Sequence, residues 1–246
     1  MKRPYLFLWI SFGILFLCKL FFKGDISTLA VFLWSALLSV FLLVKIRMPS
    51  KKGILISLTL TVLVVISGLC GRNNAFGTVL FGVGTLLSSM AVTSEAEKNE
   101  SVKLLRSHDK KGLFLSLAIG AAAAVPLIVI NTLAMSSSNA IAPVFEPVRV
   151  LWAVQPGIGE EMVMRAVFMA FCLHHTEKPS KAQSIAMYIM MSMPHALGHG
   201  MDIIGCLISG VIFGLPFSFL QRKRDITAAI FSHFLVDTAR FIIFGC

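Results

Sequence analysis

Apolar residues run along this chain in blocks long enough to cross a hydrocarbon core, separated by short polar segments. Five blocks come first: Pro4 to Phe22, Ile26 to Val44, Gly53 to Cys70, Phe76 to Val92 and Gly112 to Met135. Four more follow: Val148 to Leu173, Ala182 to Gly198, Ile203 to Leu220 and Ile226 to Phe244. Each has roughly the 17 to 25 residues that a helix needs to span a bilayer, where its backbone polar groups must be satisfied internally. The pattern predicts an all-α, polytopic transmembrane helical bundle, with eight or nine spans according to how neighbouring blocks are divided. The first block is too long for the apolar part of a signal peptide and is read as a retained helix.

Composition strengthens this picture. Hydrophobic residues make up 57% of the chain and charged ones 14%, which places it among integral, multi-pass membrane proteins. Most of the cations fall at the N-terminus (Lys2, Arg3), in Lys45 to Lys52, between Glu95 and Lys111, at Lys178 and Lys181, and at Arg222 to Arg224. These are alternate loops, which the positive-inside rule puts in the cytoplasm together with the N-terminus. Nine spans would then leave Cys246 outside. The net charge of +10 comes without a basic stripe carrying interleaved aromatics, so a nucleic-acid partner is not expected. The expected partner is the bilayer itself. Cys18, Cys70, Cys172, Cys206 and Cys246 show no CxxC spacing and read as packing residues.

Charge also divides the chain. Residues 1–111 read as N-terminal scaffold helices ending in a solvated cytoplasmic loop, Thr93 to Lys111, and residues 112–246 hold the chemistry. His108, His174 and His175 fall in cytoplasmic loops on this reading and are expected to be solvated. In the second half, three apolar blocks carry ionisable pairs spaced four apart: Glu161 with Arg165, His195 with His199, and His233 with Asp237. Residues at that spacing share a helix face, so each pair points into one interior. Ionisable groups inside a membrane are costly unless paired, hydrated or used. Alone, Glu161 and Arg165 read as a structural ion pair and His233 as an interhelical hydrogen bond. Together, the three pairs predict a buried polar site. Pro156 and Gly157, just before Glu160, predict a span that is broken or begins late.

The ordered set Glu160-Glu161-x-x-x-Arg165, then His199, then His233-x-x-x-Asp237 resembles the motifs of the CAAX-protease and bacteriocin-processing (CPBP, Abi) family, whose relatives include the Ras-converting CAAX endopeptidases. The match covers Val148 to Ile243. The resemblance implies a four-helix catalytic core at residues 112–246 and an intramembrane glutamate endopeptidase. Glu160 would activate water, with Glu161 beside it, Arg165 anchoring the pair, and His199, His233 and Asp237 completing the site. It also implies a membrane-associated protein or peptide substrate, including lipidated ones, and no obligatory metal. This chain departs from the pattern at His195, which stands in an aromatic position, and at Asp237, where Asn is common.

Peptide hydrolysis needs an activated water, a base, a proton donor for the leaving amine and support for an oxyanion. Glu160 and His199 are assigned to the water, and His233 with Asp237 to the oxyanion. No cofactor is expected; the alternative is Zn, held by Glu160, His199 and His233, whose N and O donors suit that ion. Two other functions remain open. One is a non-proteolytic immunity or scaffold protein of the same family, and the other a proton-coupled transporter, which the lack of an internal repeat disfavours. The compact length leads to the expectation of a prokaryotic plasma membrane.

Overall fold

The computed structural model describes residues 3–21, 25–71, 74–137, 139–176, 178–199 and 201–245. Lys2 and Cys246 lie outside the described residues. Helices follow the apolar blocks closely: α1 (Arg3–Phe21), α2 (Asp25–Ile46), α3 (Lys51–Cys70), α4 (Ala75–Ala96) and α5 (Lys110–Ser136). The block that begins at Val148 is divided. A short α6 (Pro147–Trp152) turns at Ala153 into α7 (Val154–Glu161), which runs through a π-helical turn (Met162–Ala166) into α8 (Val167–His175). Next come α9 (Lys181–Gly198), α10 (Ile203–Ser209), a second π-helical turn (Gly210–Gly214), α11 (Leu215–Lys223) and α12 (Ile226–Phe244). The expected late start is present, at Ala153 rather than at Pro156, which sits inside the first turn of α7, where its missing N–H costs nothing.

Side-chain caps mark where the helices begin. Asn74, Asp109, Ser180, Asp202 and Asp225 each accept a hydrogen bond from the backbone N–H three residues on, and Gln183 completes a capping box with Ser180. Asp109 lies outside the membrane-spanning segments, and the N–H of Gly112 together with the Ser107 hydroxyl holds its carboxyl below the usual range.

Among the described residues, six helical segments are long and apolar enough to cross a membrane: Ile26–Ile46, Lys51–Cys70, Ala75–Ala96, Lys110–Ser136, Ile203–Lys223 and Ile226–Phe244. The Tyr5–Phe21 segment is apolar but shorter. The rod of α7 and α8 and the C-terminal half of α9 carry, with α12, the polar site, and they are enclosed by the other helices. Every residue from Glu161 to Leu173 is buried, as expected of a helix that is apolar on all sides. Trp34, Leu38 and Leu42 of α2, Val64 of α3, Ala91 and Val92 of α4, and Met187, Met190 and Met191 of α9 enclose it.

Hydroxyl groups tie the surrounding helices where lipid offers no hydrophobic drive for association. Ser35 and Ser39 of α2 lie 3.2 Å from Ser88 of α4, and Ser57 of α3 lies 3.3 Å from Thr93 of α4. Glu95 in the last turn of α4 is buried and contacts His174 Nδ1 at 3.0 Å. The expectation of a solvated His174 therefore fails, because α8 continues to His175 and brings the ring back against α4. His175 too is only partly exposed, edge-on to Phe171.

α12 is fixed at both ends. At its start, the N–H groups of Ile226 and Thr227 donate to the carbonyls of Lys103 and Leu104, and Asp225 accepts from Ser116 at 2.6 Å. At its finish, the carbonyls of Ile242 and Ile243 accept from Val144 and Ala142, and Phe241 O accepts from Arg149 at 2.9 Å. Orphan carbonyls at a helix end are thereby satisfied, and the helix bearing His233 and Asp237 is held against α5 and α7.

Candidate active site

Close backbone approach brings the three polar faces together. Gly157 lies against α12 so tightly that a Cβ there would stand 3.0 Å from the Phe234 side chain and 3.1 Å from its backbone. One residue before Phe234, His233 reaches back to the rod, and its Nδ1–H donates to Glu161 Oε1 at 2.7 Å. Gly214 performs a similar service between the second π-helical turn and α9, where a Cβ would meet the Ser192 carbonyl at 2.8 Å. Both π-helical turns thus border the site, as such insertions frequently do.

The two adjacent glutamates face different surroundings. Glu161 is fully buried, forms an ion pair with Arg165, and accepts a hydrogen bond from Gln221 Nε2 at 2.6 Å. Arg165 is itself fully buried, and its guanidinium lies 5.1 Å from the ring centre of Phe217. Phe217 in turn stacks on His233 at 4.7 Å. Glu160, by contrast, is 13% exposed and opens into a cavity of about 720 Å³. Its Oε2 lies 2.5 Å from His195 Nε2 and 3.6 Å from His233 Nε2. His233 Nε2 also lies 3.3 Å from Asp237 Oδ2, and Arg240 Nε lies 3.6 Å from Asp237 Oδ1.

All six residues named from the sequence, Glu160, Glu161, Arg165, His199, His233 and Asp237, are brought to this one place. The i, i+4 pairs meet as expected: Glu161 with Arg165, His233 with Asp237, and His195 with His199, whose Nε2 atoms are 3.1 Å apart. The imidazole directly on Glu160, however, is His195, and His199 touches it from behind. Pro194 precedes His195, and α9 ends at Gly198, so His199 is already in extended backbone. Lys19 and Thr28 hold that end in place: they donate to the carbonyls of His199 and Gly198 respectively, as cations and hydroxyls do at helix C-termini. Lys19, Gln221 and Arg240 are contributors the sequence motifs did not single out, and His195, noted from the sequence as the partner of His199, takes the place nearest Glu160. An ionisable residue in an apolar block was the available signal for Lys19.

Away from the carboxylate the cavity lining is mainly apolar, with Asn131 and Ser209 among it. Ile130 and Ala134 of α5 line it from one side and Ile208 and Ile212 from the other, with Asp237 and Arg240 at its polar margin.

Residues 143–239 match the family model described as Rce1-like, type II CAAX prenyl endopeptidase Rce1-like. Over this stretch the chain is similar to that family. It contains α6 to α11 and the part of α12 that bears His233 and Asp237, so the family match and the polar cavity coincide. No curated protein and no solved structure matches the chain. The Rce1-like match supports peptidase activity in a membrane-embedded helical protein and a protein substrate.

Proposed function

We propose that the chain is an intramembrane endopeptidase that hydrolyses membrane-associated proteins or peptides through a water activated by Glu160. The observation that carries this reading is the asymmetry of the glutamate pair: Glu160 opens to the cavity between His195 and His233, and Glu161 is sealed behind it with Arg165 and Gln221. In this scheme a water on Glu160 Oε2 gives up its proton to the carboxylate as it attacks the peptide carbonyl. His233, oriented by Glu161 and Asp237, supplies the N–H that faces the developing oxyanion. His195 and His199 pass a proton towards the leaving amine. Glu161 and Arg165 position the others and do not touch substrate.

The apolar wall of the cavity suits substrates that reach the site along the membrane, lipidated ones among them. By the distribution of cations, the N-terminus and the basic loops lie on the cytoplasmic side. Glu160→Gln keeps the volume and removes the base. We expect it to insert and purify like the wild-type chain and to lose cleavage by about 100-fold or more. Comparison of membrane-derived peptides from cells carrying either form identifies the substrates, and undiminished cleavage by Glu160→Gln in proteoliposomes sinks the assignment.

A further inference from the structure

The loop between α4 and α5 is stitched to the bundle at several points. Asn99 donates to the carbonyl of Leu173 at 3.2 Å, Val102 is buried, and the carbonyls of Lys103 and Leu104 accept from the first N–H groups of α12. The N–H of Arg106 donates to Asp225 Oδ2 at 3.1 Å, and its guanidinium donates to the carbonyl of Lys223 at 3.3 Å. Lys103 and Arg106 are thereby brought to the last turn of α11 and held there.

A cleft of about 310 Å³ lies where loop and helix meet, lined by Lys103, Arg106, Arg222, Lys223, Arg224 and Glu100 with their neighbours. Arg224 is paired with the buried Asp225 at 3.4 Å. Among the described residues, the other four cations share the cleft with a single carboxylate, that of Glu100. Like charges gathered in this way favour an anion, and a phosphate accepts charge-assisted hydrogen bonds from several of them at once. Because the backbone beneath Lys103 and Arg106 is already fixed, little ordering remains to be done when a ligand arrives.

The basic cleft does not end in water alone. Glu100, Lys103 and Arg106 also line an adjoining cavity of about 440 Å³, whose wall includes Ile56, Val102, Leu104 and Leu105. Cations therefore border an apolar space, and they do so where the spanning segments Lys51–Cys70 and Ile226–Phe244 begin and Ile203–Lys223 ends. That is the level at which a bilayer carries its phosphates, and basic pockets between helices at that level suit anionic head groups.

We propose that the two cavities together bind one anionic phospholipid, its phosphate among Lys103, Arg106, Arg222 and Lys223 and its apolar part against Ile56, Leu104 and Leu105. The binding does not depend on the peptidase reading. One consequence does: Gln221 lines the basic cleft and donates to Glu161 Oε2 at 2.6 Å, so a lipid that steadies the end of α11 steadies the glutamate pair, and cleavage rises with occupancy.

The test adds phosphatidylglycerol or phosphatidylcholine to the full chain in an uncharged detergent, and follows melting together with the lipid retained in native mass spectrometry. Phosphatidylglycerol is expected to raise the melting temperature and to stay bound as one molecule per chain, and phosphatidylcholine to do neither. Lys103→Gln combined with Arg222→Gln is expected to weaken the midpoint of the titration by about tenfold or more. Lys178→Gln combined with Lys181→Gln removes the same charge from another basic loop and leaves the midpoint in place. An equal response to the two lipids overturns the proposal, as does equal weakening by the two variant pairs, which is the mark of diffuse attraction. Inorganic phosphate serves as the soluble probe: a rise in melting that it produces and phosphatidylglycerol does not would make the ligand a free anion and overturn the lipid. Should Lys103→Gln with Arg222→Gln fail to fold, a phosphatidylglycerol with a photoactivatable head group decides on the wild-type chain. Label confined to residues 100–106 and 221–224 supports the site, and label spread evenly over the basic loops overturns it. Lipid binding without faster cleavage defeats the coupling alone, and lipid binding by a chain that cleaves nothing supports the site while defeating the peptidase reading.

Discussion

Arg165 and Glu161 share one buried environment, and each is stable there only because of the other. Removing one partner of such a pair leaves an uncompensated charge, at a cost of about 3–5 kcal/mol, whereas replacing both is far milder. Arg165→Met is therefore expected to lower thermal stability severely, and Glu161→Gln added to it is expected to restore part of the loss, although His233 also leans on Glu161. Melting of the three variants in detergent checks this, and strictly additive losses would contradict it. At this scale the sequence was informative, because an i, i+4 spacing is a local property: three pairs were read from it and all three make contact. The contact of His195 with Glu160, which the sequence reading gave to His199, and the part of Gln221 were harder to see. Their contacts with Glu160 and Glu161 depend on how one helix is rotated against another, and no spacing along a single helix encodes that.

Among the elements, α12 and the rod of α7 and α8 set the geometry of the site, and Gly157 is the point where they touch. Gly157→Val places two methyl groups where the Phe234 backbone stands 3.1 Å from even a Cβ. Both ends of α12 are tied to loops, so the helix is expected to bow at its middle, where His233 lies, rather than move as a body. A misplacement of about 1 Å at a reacting group costs about 100-fold in rate. Gly157→Val should thus lose cleavage by that order while retaining most of its helix content, as measured by peptide cleavage alongside circular dichroism. Helix boundaries were legible because cap residues and apolar blocks announce them. The π-helical turns were not: one extra residue in a turn shifts every side chain beyond it, yet leaves the apolar pattern of a fully buried rod unchanged.

The sequence pattern suggested eight or nine spans, whereas among the described residues six segments meet the length and hydropathy of a span, because the block from Val148 is divided at Ala153 and at a π-helical turn. The buried rod of α7 and α8 and the buried C-terminal half of α9 are enclosed by protein and are free to carry charge. Access to them then depends on the 720 Å³ cavity, whose apolar sides come from α5 and from α10 with its following π-helical turn. Ala134 and Ile208 on these sides are exposed at the surface of the bundle, so the cavity opens laterally, towards lipid. A substrate anchored in the membrane can enter by that path without leaving the bilayer, whereas a soluble peptide has no need of it. Ala134→Trp fills the lateral opening from α5, a helix that carries none of the residues of the Glu160 network. It is expected to reduce cleavage of membrane-anchored substrates by about tenfold or more, since a misplaced or excluded substrate forfeits its alignment with the catalytic group, and to leave cleavage of a short soluble peptide nearly unchanged. Competition between the two substrates in proteoliposomes measures the difference, and an equal loss for both would place the entrance elsewhere.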